Sequence, residues 1–324
     1  MKLPVSRRAP IVAMLMMAAS ESALAAGVPT AEPGGETLLL WPAGVPGAER
    51  VTVKQQLTER APAGPLRDRI AEHVTQPLLT LFHPRGASNG ITLLIIPGGA
   101  YTRVVIDKEG FESAEWFAQR GFECAVLRYR MPADGWEAGA DAPVHDAMRA
   151  LRLLRSRQRG TPSAPERFGV IGFSAGGHLS ARLITETSLA YPRQDAADDL
   201  RARPDFAVLM YPVIAMHGVS AHRGSVAQLL AAGVQAAGLD RYSPDLHVSA
   251  DTPPTLLVHA ADDETVPVEN SLKMFNALRA AGVRSELHVF DRGGHGFGMR
   301  GVAGLDAAAW PGLVETWALA NAKP

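Results

Sequence analysis

One serine in the chain stands in the pattern expected of an activated nucleophile. An apolar run at residues 168–173 leads into the pattern G-x-S-x-G at residues 172–176, with Ser174 at its centre. A serine on a sharp turn between a strand and a helix exposes its hydroxyl, and the flanking glycines avoid clashes in that turn. The helix that follows directs free N–H groups at a developing oxyanion. The pentapeptide is common by chance, but its place directly after an apolar run favours a nucleophilic serine.

Two later loops offer the acid and the base that a serine nucleophile needs. A serine hydroxyl is a weak nucleophile at neutral pH, so a histidine must take its proton and a carboxylate must orient that histidine. Asp263 lies in an acidic segment at residues 262–264, and His295 lies in a glycine-rich loop at residues 293–298. Their order along the chain, serine then aspartate then histidine, is the order expected of an α/β-hydrolase.

The acid and the base each have an alternative. Asp262 and Glu264 lie beside Asp263, which we favour because it precedes a Val-Pro pair by three residues, a turn common at this position in α/β-hydrolases. Asp262 is then expected to stabilise a turn or to cap a helix. His178 is the alternative base, but it lies one helical turn beyond Ser174, so we expect a packing or indirect role for it. The remaining histidines are expected to be surface or core residues.

The segment at residues 97–101 is the candidate oxyanion hole. Its sequence, Pro-Gly-Gly-Ala-Tyr, directly follows an apolar run at residues 91–96, where related hydrolases place a glycine-rich loop. We expect the backbone N–H of Gly98 or Gly99, together with that of Ala175, to stabilise the oxyanion. Loss of one such donor typically costs about 3–4 kcal/mol. A plain tight turn is the alternative interpretation.

Apolar runs of strand length alternate with segments of helical periodicity along most of the chain. The runs lie at residues 78–82, 91–96, 122–127, 167–173, 206–211, 255–259 and 286–290. The helical segments lie at residues 109–119, 143–157, 175–187, 226–232, 268–281 and 306–320. This alternation predicts an α/β-hydrolase fold, with a mainly parallel central sheet and helices on both faces. Ligands bind beyond the carboxyl ends of such strands, where the serine, aspartate and histidine loops all fall.

The helical segment at residues 143–157 is rich in arginine. Four arginines mostly lie off its apolar stripe, namely Arg149, Arg152, Arg155 and Arg157. A basic helix face either binds an anion or is solvated, and we expect a solvated outer face.

The composition of the chain is that of a globular protein. Its 324 residues are 47% hydrophobic and 20% charged, and the net charge is −1. A charge near zero without a Lys/Arg cluster gives no reason to expect nucleic acid or an anionic membrane as a partner. Cys124 is the single cysteine, which excludes an intrachain disulfide, and we expect a buried structural thiol.

Residues 1–26 are predicted to be a secretory signal peptide. An apolar run at residues 11–19 follows three basic residues, Lys2, Arg7 and Arg8. The run is too short for a transmembrane helix, and a small-x-small site follows it at residues 23–25. We expect cleavage near Ala25 or Ala26 and a secreted or periplasmic mature protein without a membrane partner, an uncleaved anchor being the alternative.

Two further regions follow the signal peptide. Residues 27–76 carry many Pro and Gly and few apolar residues, so they are predicted to form an N-terminal extension packed on the main domain. Residues 77–324 are predicted to form the α/β-hydrolase catalytic domain.

Four motifs resemble those of secreted bacterial α/β-hydrolases of the carbohydrate acetylesterase group, often called acetylxylan esterases. The motifs lie at residues 97–101, 172–179, 263–271 and 293–298, and an opening segment at residues 40–47 is also similar. The resemblance spans roughly residues 38–322. It implies a serine esterase that removes acetyl groups from carbohydrate hydroxyls without a metal or an organic cofactor. Ser174, Asp263 and His295 would be its catalytic triad.

One position departs from this pattern. Ala100 stands where the group more often has a third glycine, and its β-carbon would narrow the acyl pocket or stiffen the loop. Tyr101, the next residue, is expected to line the sugar-side opening as a substrate-binding residue. An ordinary packing tyrosine is the alternative.

Two other functions stay open at this point. A broader short-chain carboxylesterase or lipase-like hydrolase would use the same triad, although residues 210–230 could form only a modest cap. A non-catalytic binding module of the same fold is disfavoured because the serine, aspartate and histidine are all present.

Overall fold

An eight-stranded, mostly parallel sheet forms the centre of the protein in the computed structural model, which describes Met1 and residues 35–158, 167–186 and 190–321. The strands are β1 (Thr37–Leu39), β2 (Gln56–Glu59), β3 (Arg69–Glu72), β4 (Leu78–Phe82), β5 (Ile91–Ile96), β6 (Arg103–Val105), β7 (Glu123–Arg128), β8 (Arg167–Phe173), β9 (Phe206–Met210), β10 (Thr255–Ala260) and β11 (Ser285–Phe290). Their order in the large sheet is β1-β4-β7-β5-β8-β9-β10-β11. Strand β4 runs antiparallel to both of its neighbours, and the other pairs are parallel. The predicted, mainly parallel sheet is therefore confirmed.

Six α-helices lie in the described part of the chain, each close to a predicted segment. They are α1 (Glu112–Ala118), α2 (Ala142–Gln158), α3 (Ala175–Thr185), α4 (Arg223–Ala231), α5 (Glu269–Ala280) and α6 (Trp310–Asn321). The largest difference lies before α1, where the chain forms a π-helical turn at Ile106–Phe111 instead of regular α-helix. Such turns are frequent at functional sites.

The core follows from the apolar runs of the central strands. Every residue of β4, β5, β9 and β10 is buried, which explains why these strands read as continuous apolar runs rather than as alternating patterns. Trp310 of α6 packs against Phe117 and Phe173 beneath the sheet. Cys124 in β7 is buried, as predicted, and burial raises the pKa of its thiol well above the usual value.

The described part of the predicted N-terminal extension pairs with the rest of the molecule. Strand β1 adds to the central sheet by pairing with β4, and β2 and β3 form a three-stranded antiparallel sheet with β6. None of these four strands was predicted, because each has only three or four residues, too few to give a clear apolar pattern. The predicted signal peptide, apart from Met1, lies outside the described residues.

The arginine face of α2 is largely covered, so the prediction of a solvated face is wrong. The Arg149 side chain is fully buried and forms ion pairs with Asp195 and Asp198, which come from the segment after α3. That segment has no periodic pattern, so its contact with α2 could not be read from the sequence. Arg157, at the end of the helix, does stay exposed and pairs with Glu36.

A buried carboxylate joins the N-terminal extension to α2. Asp146 accepts hydrogen bonds from the Trp41 indole N–H at 2.8 Å and from the Arg130 backbone N–H at 2.9 Å. The Arg130 guanidinium also contacts it at 2.8 Å, and both charged side chains are buried. Arg130 donates a further hydrogen bond to the Pro46 carbonyl of the extension. This cluster therefore contributes to stability only while both charges remain paired.

Replacing this carboxylate should destabilise the protein strongly. We expect Asp146→Ala to lower the free energy of unfolding by about 3–5 kcal/mol, because the Arg130 guanidinium would stay buried without its counter-ion. Urea unfolding followed by circular dichroism measures the change. The control is Asp240→Ala, at an exposed ion pair with His217, which should change the stability by less than about 0.5 kcal/mol. Equal small effects for both variants would contradict this interpretation.

Candidate active site

Ser174 lies on a strained turn between β8 and α3. Its φ of +52° is a conformation that residues other than glycine rarely adopt. A β-carbon at Gly172 would lie 2.1 Å from the Ser180 hydroxyl, and one at Gly176 would lie 2.2 Å from the Ile96 carbonyl oxygen. Steric exclusion therefore accounts for both glycines of the G-x-S-x-G pattern.

The structure brings the three predicted side chains into one hydrogen-bonded chain. The Ser174 hydroxyl lies 2.8 Å from Nε2 of His295, and Nδ1 of His295 lies 2.7 Å from Oδ2 of Asp263. With its proton on Nδ1, the imidazole donates to the carboxylate and accepts from the serine hydroxyl at Nε2. The Asp263 carboxylate is buried, while the Ser174 and His295 side chains border a cavity. This arrangement can remove the serine proton during nucleophilic attack.

Hydrogen bonds keep the buried Asp263 carboxylate ionised. Burial alone would raise its pKa, but hydrogen bonds from His259 and His295 and from backbone N–H groups lower it well below the usual value. Oδ1 accepts from the N–H groups of Thr265 and Val266 at 2.9 and 2.8 Å. These two bonds give a structural reason for the turn that the sequence pattern indicated. The carboxylate can therefore stabilise an imidazolium at His295.

The alternative acid and base have other roles. Asp262 is exposed and accepts a hydrogen bond from the Gly294 N–H at 2.8 Å, so it stabilises the loop that carries His295. His178 is buried, and its Nδ1 accepts from the Tyr101 hydroxyl while its Nε2 donates to the Tyr242 carbonyl, both at 2.7 Å. Burial, with the nearby positive charge of an arginine, lowers the pKa of His178 to about 3. Both of its ring nitrogens are occupied, which leaves none to accept the serine proton.

The assignment of Gly98 to the oxyanion hole is wrong. Its N–H donates to Oε2 of Glu109 at 2.7 Å and is not available to a substrate. No described residue accepts a hydrogen bond from the N–H of Gly99, Ala100 or Ala175. Ala175 is the first residue of α3, where an N–H has no partner within the helix. Of the predicted donors, Gly99 and Ala175 therefore have N–H groups without a described partner, as does Ala100, and their role in an oxyanion hole stays a prediction.

Tyr101 does not line the opening of the cavity, so this prediction is also wrong. Its side chain is 2% exposed, its hydroxyl contacts His178, and its ring packs edge-on against Tyr129. The backbone has positive φ at both Ala100 (56°) and Tyr101 (62°), which folds the loop back and turns the ring into the core. Tyr101 therefore packs in the core, which was the alternative considered for it.

A cavity of about 310 Å³ opens beside Ser174 and His295. This volume lies at the lower end of the range of ligand cavities. His222 lines it as well, although no chemical role was expected for this histidine. Burial and the neighbouring His295 lower the pKa of His222, which favours the neutral imidazole. A larger cavity of about 550 Å³ lies beside Trp136, and none of the three hydrogen-bonded residues lines it.

Glu109 is a buried acid of the site that the sequence did not reveal. Besides Gly98, it accepts a hydrogen bond from the Tyr211 hydroxyl at 3.0 Å, and that hydroxyl accepts one from the Gly298 N–H at 3.1 Å. The Tyr211 ring lies edge-on against the His295 ring, with centroids 5.2 Å apart. Burial raises the pKa of Glu109, and its hydrogen bonds offset part of that effect. Glu109 thus connects the candidate oxyanion loop, residues 97–101, to the loop of His295.

Neither a candidate metal site nor a membrane-spanning helix is found among the described residues. They contain no group of three or more His, Cys, Asp or Glu side chains that could hold a metal ion. None of the helices described is both long and apolar enough to cross a membrane.

A family model identifies the protein family to which this chain belongs. The BD-FAE family model matches residues 79–278, which is more than half of the chain and includes Ser174 and Asp263. The chain belongs to the BD-FAE family.

A curated relative supports the resemblance derived from the motifs. An acetylxylan esterase from Xylanibacter ruminicola is 32% identical to this BD-FAE chain over 224 residues, which cover 68% of the chain and 43% of the relative. The chain thus spans less than half the length of this relative. The resemblance to acetylxylan esterases is confirmed.

Solved structures confirm the α/β-hydrolase fold of this BD-FAE protein. The crystal structure of an acetyl ester-xyloside bifunctional hydrolase from Caldicellulosiruptor lactoaceticus is 32% identical and superimposes with a TM-score of 0.68. The match covers 88% of this chain and 96% of that one. The propionate-bound esterase Est2 of Thermogutta terrifontis, at 22% identity and a TM-score of 0.64, covers 82% and 93% and shows the same fold.

Removing the buried acid should impair the reactivity of Ser174. We expect Glu109→Ala to lower kcat/KM for 4-nitrophenyl acetate by about 10- to 100-fold, because a shift of about 1 Å in either loop misaligns the reacting groups. Glu109→Gln, which keeps an acceptor for the Gly98 N–H, should retain more activity than Glu109→Ala. Glu115→Ala, at an exposed position on α1, is the control and should match the wild type. Wild-type activity in a folded Glu109→Ala variant would contradict this role.

Proposed function

We propose that the protein is a serine esterase that removes acetyl groups from carbohydrate hydroxyls, with acetylated xylan or its oligosaccharides as substrate. The observation that carries the proposal is the hydrogen-bonded chain from Ser174 through His295 to Asp263. The names of the relatives, an acetylxylan esterase and an acetyl ester-xyloside hydrolase, support the substrate class. The small cavity beside Ser174 favours a short acyl group.

The first half of the proposed reaction forms an acetyl-enzyme. His295 takes the proton of the Ser174 hydroxyl as its oxygen attacks the acetyl carbonyl carbon. The resulting oxyanion accepts hydrogen bonds from the free N–H groups of Gly99, Ala100 and Ala175. Asp263 stabilises the imidazolium that forms at His295. The tetrahedral intermediate then collapses, and the sugar alcohol leaves with the proton that His295 donates to its oxygen.

The second half of the reaction releases acetate. Water replaces the sugar alcohol beside His295, which takes a proton from the water as its oxygen attacks the acetyl carbon. The same N–H groups stabilise the second oxyanion. Collapse of this intermediate breaks the bond to the Ser174 oxygen, which recovers its proton from His295. Ester and water are thereby converted to acetate and alcohol, and the enzyme is regenerated.

We also propose that the mature protein works outside the cytoplasm, in the periplasm or as a secreted enzyme. The basic residues, apolar run and small-x-small site within residues 1–26 support this location. Acetylated polysaccharides are too large to cross a membrane unaided, so an exported enzyme suits this substrate.

Kinetics on an ester series test the proposed triad and the acyl preference. We expect 4-nitrophenyl acetate to be hydrolysed faster than the butyrate and much faster than the octanoate, because the cavity is small. Ser174→Ala should lower kcat by about 10³-fold or more, and Asp263→Asn by about 10³- to 10⁴-fold. Asp262→Asn is the matched control and should lose far less, since Asp262 hydrogen-bonds to the Gly294 N–H of the loop and not to the His295 imidazole.

The natural substrate class is tested separately by acetate release from acetylated xylo-oligosaccharides, followed by NMR. Acetate release that depends on Ser174 supports the proposal. Activity that survives Ser174→Ala would rule out the triad. Preference for the octanoate would favour a lipase-like hydrolase, and no turnover in the folded wild type would favour a binding module.

A further inference from the structure

Two cations in the cavity beside Ser174 form no ion pair with a described residue. Arg103, in β6, and Lys108, in the π-helical turn, both line the cavity. Neither side chain forms an ion pair or hydrogen bond within the part of the chain that the structure describes, and the Arg103 Nε is buried without a partner. A third lining cation, Arg60, differs because Asp68 neutralises it at 2.7 Å.

The acid on the cavity wall does not offset these two charges. Among the described lining residues that acid is Glu109, and its two carboxyl oxygens already accept hydrogen bonds from Gly98 and Tyr211. Even as a carboxylate, Glu109 carries one negative charge against the two cations. The wall is therefore positively charged, although the net charge of the whole chain is −1.

A second acid close to Lys108 is also engaged elsewhere. Glu112, in the first turn of α1, influences Lys108 electrostatically but forms its ion pair with Arg300 at 2.9 Å. Unpaired buried donors are rare in folded proteins, because they lose their hydrogen bonds to water without replacement. A guanidinium is also the side chain best suited to hold a carboxylate, since its planar N–H groups match the two oxygens.

We propose that Arg103 and Lys108 form an anion subsite that binds a carboxylate on the alcohol part of the substrate. The inference rests on the proposed acetylesterase function. The acetyl ester group is uncharged, so a carboxylate on the substrate belongs to the sugar. The preferred substrates are then acetylated saccharides that carry a uronic acid, and neutral acetylated sugars are poorer substrates.

Two acetate esters, one with a free carboxylate and one with that carboxylate methylated, test the subsite. The probes are 4-acetoxybenzoate, which is an anion, and its uncharged methyl ester, methyl 4-acetoxybenzoate. The quantity measured is the ratio of kcat/KM for the anionic ester to that for the neutral ester. Comparing this ratio between variants and wild type cancels the intrinsic difference in reactivity between the two esters.

Removing either cation should lower this ratio. We expect Arg103→Gln and Lys108→Gln each to reduce it about fivefold, with little change in kcat/KM for the neutral ester. Arg279→Gln removes an exposed cation on α5 outside the cavity and should leave the ratio unchanged. The wild-type ratio should also fall as NaCl is raised from about 10 to about 500 mM, because salt screens the attraction. Acetylated xylo-oligosaccharides with a uronic acid side group should likewise release acetate faster than neutral ones.

Different results would contradict the proposed anion subsite and the proposed esterase function. A ratio that stays at the wild-type value in both variants, while the neutral ester is still hydrolysed through Ser174, would overturn the subsite and leave the esterase standing. Equal losses on both esters would also overturn it, because they would show a structural role instead of charge recognition. Neutral-ester hydrolysis that survives Ser174→Ala would instead overturn the proposed function itself.

Discussion

Around Ser174, the start of α3 packs so closely against the backbone at the ends of β5 and β9 that only glycine fits at the points of contact. A β-carbon at Gly176 would collide with the carbonyl oxygens at the end of β5, and one at Gly177 would lie 2.8 Å from Pro212 after β9. A β-carbon at Gly98 would lie 2.7 Å from the Phe173 carbonyl oxygen. The glycines therefore let α3 begin against the ends of β5 and β9, which places its free N–H groups beside the oxyanion loop. The parallel strands supply this geometry, because their carboxyl ends meet at one edge of the sheet.

Around this turn, the sheet brings the loops of Asp263 and His295 close together, and polar groups, most of them buried, hold these loops in position. Backbone N–H groups and His259 hold the Asp263 carboxylate, and Asp262 holds the loop of His295. Glu109 and Tyr211 join that same loop to the oxyanion loop. Each of these contacts leaves a side chain with few alternative positions, so the hydrogen-bonded chain exists before a substrate binds. Such preorganisation is a large part of how hydrolases stabilise developing charge.

The sequence predicted those parts of the structure that depend on local pattern. Continuous apolar runs predicted the central strands because these strands are buried on both faces, and the spacing around Ser174 identified its turn because glycine is sterically required there. Tertiary contacts between irregular segments were not predictable. Gly98 was misassigned because its N–H meets Glu109, which lies in a π-helical turn without an apolar pattern. Tyr101 was misassigned because positive φ angles, which sequence does not reveal, turn its ring inward. The burial of Arg149 depends on a segment beyond α3 that has no periodicity.

Covalent labelling tests whether Ser174 is a nucleophile activated by His295 and Asp263. The purified protein is treated with a fluorophosphonate, and the modified residue is located by peptide mass spectrometry. We expect one phosphonyl group per chain on Ser174, slow labelling in Asp263→Asn and none in Ser174→Ala. Labelling at another residue, or labelling of Ser174 at the wild-type rate in Asp263→Asn, would contradict this activation.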